Sequence, residues 1–162
     1  MHQKYTNLAL SIVLALWIVI AILVLQSGCL RIERRYIFAQ SFGNVIKVEV
    51  CQYHYDPNPR EQSVTPLAEL DLNTAESMLN EFSATTCYRY FGDATQDYGE
   101  IVLYISYSNG EAEVLGRLNS ARVDADGKWH IRGEYFDDEQ WYGVLEKYID
   151  SELMAEIEKY RK

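Results

Sequence analysis

Two histidines, His54 and His130, are the side chains of this chain best suited to proton transfer. His54 stands between two tyrosines and close to Asp56, and His130 falls in a predicted strand opposite Arg122. An imidazole can serve as a general base near neutral pH, but acyl transfer also needs a nucleophile and an oxyanion donor. The sequence contains no G-x-S-x-G, phosphate-loop or H-E-x-x-H motif. We therefore expect no enzyme, and keep as an alternative a membrane-surface enzyme with His54 or His130 as general base.

The stretch Asp124-Ala125-Asp126-Gly127 has the opening residues of a calcium-binding loop. An EF-hand loop needs glycine at its sixth position and glutamate at its twelfth, and counting from Asp124 these positions hold Trp129 and Tyr135. The three cysteines form no C-x-x-C pair that could hold zinc. The sequence thus predicts no metal and no cofactor, and the stretch fits a three-residue turn that pairs Val123 with Trp129.

Tyrosine is the most abundant aromatic residue, with 13 copies among 162 residues. Several lie on predicted strands, and tyrosine adds contact area to interfaces at low entropic cost. From residue 36 onward the chain has 23 acidic and 11 basic side chains, a formal charge of −12. Such a charge disfavours nucleic acid as a partner. We expect a membrane-tethered interaction or sensor-like domain that binds a protein or peptide with a basic surface, with Tyr53, Tyr55 and Tyr104 as binding candidates.

An apolar segment near the N-terminus predicts attachment to a membrane. Residues Leu8 to Leu25 carry no charge, and as a helix they would rise about 27 Å, close to the roughly 30 Å of a hydrocarbon core. We therefore predict a tail at 1–7, a signal-anchor-like single transmembrane helix at 8–28 and a basic juxtamembrane collar at 29–35. Three arginines of the collar are expected to contact lipid headgroups. They are Arg31, Arg34 and Arg35.

Cys29 offers a second route to the membrane. The stretch Leu25-Gln26-Ser27-Gly28-Cys29 resembles the lipobox of bacterial lipoproteins, in which small residues precede an acylated cysteine. The lipoprotein pattern has an aliphatic residue three positions before the cysteine, where this chain has Gln26. The resemblance implies, as an alternative to a retained helix, a lipoprotein anchored through Cys29.

The side of the membrane is also open to prediction. The signal-like layout favours a domain outside the cytoplasm, whereas the arginines after the apolar segment favour the opposite side under the positive-inside rule. We expect the outer side. In such a compartment Cys51 and Cys87 either form a disulfide, which needs their Cα atoms within about 7 Å, or remain two buried thiols.

These residues are expected to belong to one acidic α+β domain covering residues 36–162. Its predicted element order is ββ-α-β-β-β-β-α, an antiparallel sheet with helices packed on one face. The elements predicted before residue 92 are the strands Tyr36–Phe42 and Val45–Tyr55, a loop at 60–72, a helix capped by Asn73 with Glu76, and the strand Thr85–Phe91.

Asn109-Gly110 predicts the central hairpin. Asn-Gly favours a two-residue type I′ turn, which would pair Ser108 with Glu111 and leave Glu113 on the polar side of the sheet. A final long helix is predicted to begin at Asp137, with Gln140 completing its capping box.

Overall fold

The computed structural model describes residues 11–22, 32–57, 60–89 and 98–161. Its strands are β1 (Ile32–Arg35), β2 (Val45–Pro57), β3 (Arg60–Leu70), β4 (Thr86–Arg89), β5 (Ile101–Tyr107), β6 (Ala112–Gly116), β7 (Ser120–Val123), β8 (Trp129–Ile131) and β9 (Glu134–Tyr135). Its helices are α1 (residues 11–22), α2 (Leu72–Ala84), α3 (Asp138–Tyr148) and α4 (Ser151–Glu158), with a 3₁₀ helix at Phe42–Asn44.

The predicted membrane span is not supported. Among the helices of the described ranges, none is both long and apolar enough to cross a membrane. The transmembrane helix at 8–28 is therefore wrong, and so are the single-pass, signal-anchor and extracytoplasmic assignments that were based on it.

The strands form two antiparallel sheets instead of the single predicted sheet. The larger has the order β3-β2-β5-β6-β7-β8, and the smaller has the order β1-β4-β9. Residues 60–70, predicted as a loop, form the edge strand β3. An edge strand that is largely exposed needs no apolar alternation, and Pro66 is tolerated there because its missing N–H faces no partner strand. The predicted order ββ-α-β-β-β-β-α is therefore wrong.

The β5–β6 hairpin closes one residue differently from the prediction. Tyr107 N–H donates to the Glu111 carbonyl at 2.9 Å, and only Gly110 of the turn has positive φ, +83°. The Asn109 side chain accepts from Glu111 N–H at 3.1 Å. The loop therefore has three residues rather than two, which pairs Ile105 with Glu113. Since a one-residue slip exchanges the two faces of a strand, Glu113 now faces the helices.

The turn at Gly127 agrees with the prediction. Val123 pairs with Trp129 and Ala121 with Ile131. Gly127 has φ +82°, and its N–H donates to the Asp124 carbonyl at 2.9 Å. The Asp124 stretch is thus a hairpin turn with glycine in the left-handed region.

The helices pack on one face of the large sheet and form the main core there. The predicted apolar stripe of α2 is buried, with Met78, Leu79 and Phe82 each no more than 1% exposed. The helix begins two residues earlier than predicted, because Asp71 rather than Asn73 is its N-cap. The last helix is divided into α3 and α4, since the Asp150 carboxylate caps a new helix by accepting from the Leu153 backbone N–H at 2.9 Å.

The opposite face of the large sheet is concave and encloses a second, smaller core. Tyr53 and Trp129 lie on β2 and β8, four strand spacings apart, which in a flat sheet would be about 19 Å. Their ring centroids are only 6.0 Å apart. The sheet must therefore curl, and its inner side buries Cys51, Val102, Val114 and Ala121 without a covering helix among the described elements.

Candidate functional site

Of the three tyrosines predicted as binding residues, Tyr53 and Tyr104 lie on the concave face and Tyr55 lies further along β2, and the three differ in accessibility. Tyr53 is 9% exposed and packs against Tyr98, with ring centroids 4.9 Å apart. Tyr104 is half-buried beside them. Tyr55 is 39% exposed. Of the three, Tyr55 is the one whose ring is available to a partner, and Tyr53 belongs to the second core.

The arginines predicted to meet lipid headgroups are partly engaged inside the fold. Arg34, on β1, forms an ion pair with Glu134, which is 2% exposed. Arg35 donates from Nη1 to the Ala84 carbonyl at 3.2 Å. Residues 32–35 are therefore a strand of the small sheet rather than a loose collar. Arg31 and Cys29 lie outside the described residues.

Cys51 and Cys87 are two free, buried thiols and form no disulfide. Cys51 belongs to the concave-face core, and Cys87 lies on β4 and packs in the main core on the helix side. Burial raises the pKa of the Cys51 thiol to about 12 and also raises the pKa of Cys87. Both therefore stay protonated near neutral pH, which makes them poor nucleophiles.

The two histidines are not brought together. His54 Nε2 lies 3.1 Å from Thr65 Oγ1 on β3, whereas His130 Nε2 lies 3.0 Å from Asp124 Oδ2 in the β7–β8 turn. The hydrogen bond with His130 lowers the pKa of Asp124. The same carboxylate accepts the Lys128 backbone N–H at 2.8 Å, so it closes the hairpin turn. The contact between His130 and Asp124 is therefore part of the structure that closes the β7–β8 turn.

Sequence reasoning missed a buried carboxylate, that of Glu113 on β6. Glu113 is fully buried, and its Oε1 accepts from Tyr36 Oη and from Arg132 Nη1, each at 2.5 Å. Its Oε2 accepts from Tyr107 Oη at 2.7 Å and from Ala39 N–H at 2.8 Å. Burial, followed by the Glu113 charge, raises the pKa of both tyrosines. Each of the two Glu113 carboxylate oxygens therefore accepts two hydrogen bonds from groups of the protein itself.

These contacts also explain the failure of the predicted strand Tyr36–Phe42. Arg132 Nη2 donates to the Ile37 carbonyl at 2.7 Å, and the Arg132 guanidinium carbon lies 5.1 Å from the Tyr36 ring centroid. The segment is thus held by side chains of β6 and of the β8–β9 connection instead of by a strand ladder. No sequence signal identified this, because a glutamate in an alternating strand ordinarily faces solvent.

Glu134 is the second buried carboxylate and joins the two sheets. It accepts from Ser120 Oγ at 2.7 Å, pairs with Arg34, and lies 3.5 Å from Arg132 Nε. Two carboxylates in one region could suggest acid–base chemistry. Here Glu113 and Glu134 are 0% and 2% exposed and their oxygens are occupied by protein donors. We interpret this cluster as an ionic connection between the sheets.

The outer edge of β3 has no neighbouring strand among the described residues. The strand has 11 residues, about 37 Å of chain, and it ends the order of the large sheet. Beyond Gln52, which pairs with Ile101, β2 continues with β3 as a two-stranded arm. On this arm Asp56 lies directly opposite Glu61, and both are exposed.

No protein-family model, no curated protein and no solved structure matches this chain. We therefore describe the chain by the fold and the surface of its described residues. The chain contains an acidic α+β domain whose buried carboxylates are engaged internally and whose longest sheet edge carries exposed carboxylates.

Proposed function

We propose that this domain binds an extended basic segment of another protein by taking it up as an additional strand beside β3. The observation that carries the proposal is that no strand lies on the outer side of β3 within the described part of the chain. A strand at a sheet edge presents N–H and C=O groups that an extended peptide can pair with.

The first half of β3, Arg60–Thr65, is the part suited to strand addition. Val50 pairs with Ala68 and Cys51 with Pro66, which leaves Leu67 as an extra residue at a bulge. Proline has no N–H to donate, and a bulge interrupts the ladder. The partner segment is therefore about five or six residues long, a length set by the uninterrupted part of the edge.

The side chains of this half define the pattern of the partner. Glu61, Ser63 and Thr65 are exposed on one face, and Gln62 and Val64 are half-buried on the other. An added strand would place its own alternate side chains beside these two rows. Lys or Arg beside Glu61, alternating with small apolar residues beside Val64, is the complementary sequence.

Charge also disfavours pairing between two copies of this chain. Edge-to-edge pairing of two β3 strands would bring the acidic arms, each with Asp56 and Glu61, close together. Like charges on neighbouring strands are destabilising, and charged edges prevent such association. The proposed partner is consequently a different, basic chain.

The test uses the full chain and a fluorescently labelled alternating peptide, acetyl-Lys-Val-Lys-Val-Lys-Val-amide, with a Glu-Val peptide of equal length as the comparison. We expect the Lys-Val peptide to bind and to slow amide hydrogen exchange within residues 60–65. Glu61→Lys should weaken binding by about three- to tenfold, since an exposed attraction is replaced by repulsion.

The matched control is Glu146→Lys, an identical charge change at an exposed position on α3. It should leave the affinity within about twofold of the original, because a charge far from the contact is screened at physiological salt. Equal weakening by both variants, or binding without protection of residues 60–65, would show unspecific attraction and reject strand addition.

A further inference from the structure

A cavity of about 220 Å³ lies where the 3₁₀ helix, the start of β2 and the start of α2 meet. It is lined by Phe42, Gly43, Val45, Leu72, Glu76 and Leu79. An engineered apolar cavity of about 150 Å³ is known to hold benzene. This cavity therefore has room for a six-membered ring that carries one small polar substituent.

Most of the lining is apolar. Leu79 is 1% exposed and belongs to the main core, so this part of the wall is fixed by the fold. Phe42 is half-buried and packs against Phe38, with ring centroids 5.2 Å apart. Leu72 is 50% exposed. A ligand with an apolar body would remove part of the Leu72 side chain from water, which favours binding.

Glu76 is the one charged side chain among the described residues that line the cavity. The sequence predicted it as the capping-box partner of Asn73, but Asp71 caps α2 and leaves Glu76 without that role. Within the described ranges its carboxylate has no ion pair and no hydrogen bond. Leu72 and Glu76 are spaced i, i+4 on α2, so an apolar side chain and a carboxylate lie side by side on one face of the helix.

We infer that this cavity binds a small organic ammonium ion with a compact apolar body. The ammonium group pairs with the Glu76 carboxylate, and the apolar body packs between Phe42, Leu72 and Leu79. Ligand pockets commonly combine an apolar lining with a few polar groups that fix the orientation of the ligand. Here the single carboxylate determines the charge of the ligand, and the volume determines its size.

The same features exclude other classes of small molecule. An anion would be repelled by Glu76, and a neutral ring would gain nothing from its charge. A cation without an apolar body would gain nothing from the apolar walls. The formal charge of −12 from residue 36 onward attracts cations to the whole domain. Selectivity at this cavity therefore depends on charge and apolar body together.

This site is separate from strand addition at β3 and does not rest on it. The proposed peptide pairs with Arg60–Thr65, whereas the cavity lies past the other end of β3, where the chain enters α2 after Leu70. Glu61→Lys should therefore leave amine binding unchanged, and Glu76→Gln should leave binding of the Lys-Val peptide unchanged. Failure of one proposal is thus distinguishable from failure of the other.

The experiment is titration of the isotope-labelled full chain at physiological salt, followed by the NMR signals of its backbone amides. The ligands are cyclohexylamine, which is protonated at neutral pH, its neutral analogue cyclohexanol, its anionic analogue cyclohexanecarboxylate, and methylamine, which lacks the ring. We expect cyclohexylamine to shift signals within residues 42–45 and 72–79. It should bind about three- to fivefold more tightly than cyclohexanol, as expected for one exposed ion pair, and more tightly than the other two ligands.

Three results would overturn the inference. The first is the absence of shifts in these two segments with cyclohexylamine at about 10 mM, one decade above a millimolar dissociation constant. The second is equal affinity for cyclohexylamine and cyclohexanol, which would show that the carboxylate is not used. The third is equal affinity for cyclohexylamine and methylamine, which would show unspecific attraction of cations.

Variants assign the two parts of the site. Glu76→Gln preserves the shape of the side chain and should reduce the affinity for cyclohexylamine to that for cyclohexanol, whose own binding stays the same. The matched control Glu146→Gln makes the same charge change at an exposed position on α3 and should leave both affinities within about 1.5-fold. Leu72→Ser should weaken both ligands by a similar factor, about threefold or more, because it removes apolar contact. Equal effects of Glu76→Gln and Glu146→Gln, or unchanged binding in Leu72→Ser, would reject this cavity as the binding site.

Discussion

Replacement of Glu113 by glutamine should destabilise the domain far more than its position in an alternating strand would indicate. The substitution preserves shape but removes the charge from a side chain that is fully buried and accepts four hydrogen bonds. One oxygen becomes an NH₂ group that faces existing donors. Arg132 would keep only Glu134, at 3.5 Å, as its compensating charge.

Removing one partner of a buried ion pair costs about 3–5 kcal/mol. The remaining Glu134 contact places Glu113→Gln near the lower end, about 3 kcal/mol, which corresponds to a fall of about 6–12 °C in melting temperature for a chain of this size. The assay is thermal and urea unfolding followed by circular dichroism.

Glu111→Gln is the matched control, two residues earlier, since Glu111 pairs with the exposed Arg122. Its melting temperature should stay close to that of the original chain. If Glu113→Gln unfolds with the same midpoint as this control, Glu113 faces solvent, and the three-residue turn and the buried cluster are both refuted.

Three further predictions concern the turn, the thiols and an ion pair. Gly127→Val should destabilise the domain by about 1 kcal/mol or more in urea unfolding, because φ at this position is +82°. An added Cβ would have no neighbouring atom within 4 Å, so packing would not offset this cost. An unchanged unfolding midpoint would contradict the turn. In a Cys29→Ser variant, Cys51 and Cys87 should react with a thiol reagent at pH 8 only after unfolding, since both are buried and their pKa values are raised. Rapid labelling of this variant in its native state would refute their burial. Hydrogen bonds from Lys147 and Tyr148 lower the pKa of Glu81. The stabilisation from this carboxylate is therefore present above its unfolded pKa near 4.5 and is lost as pH falls through the folded value. Glu81→Gln should remove this part of the decrease in stability at acid pH, and identical stability–pH profiles of the variant and the original chain would contradict the prediction.

Local signals predicted those elements in which one short-range interaction dominates. The stripe of α2 and the turn at Gly127 follow from helical spacing and from glycine's access to positive φ. Gln140 accepts from the Asp137 backbone N–H at 3.2 Å, as the capping-box pattern predicts. In each case the residues that determine the structure lie within a few positions of one another.

Long-range contacts determined what the sequence could not reveal. Asn109-Gly110 is compatible with a two-residue or a three-residue loop, and the Asn109 side-chain bond to Glu111 N–H accompanies the second. That choice decides the face on which Glu113 lies, 77 positions from its partner Tyr36. The edge strand β3 was missed for the opposite reason, since its exposed polar residues carry no core periodicity. Of the binding candidates, Tyr55 remains accessible, while Tyr53 is used by the second core.

The distribution of ion pairs links this interior to the acidic surface. Many basic side chains of the described residues already have a carboxylate partner: Arg34, Lys47, Arg117, Arg122, Arg132, Lys147, Lys159 and Arg161. Each such pair cancels one positive charge against one negative charge, and the formal charge of −12 from residue 36 onward is carried by the acidic side chains in excess. Arg34 and Arg132 pair with the buried Glu134 and Glu113, so the positive and negative charges of this cluster largely offset one another. The negative charge near the β3 edge comes instead from exposed carboxylates such as Asp56 and Glu61. Under the proposed function, this charge favours association with a basic segment and opposes pairing with a second copy.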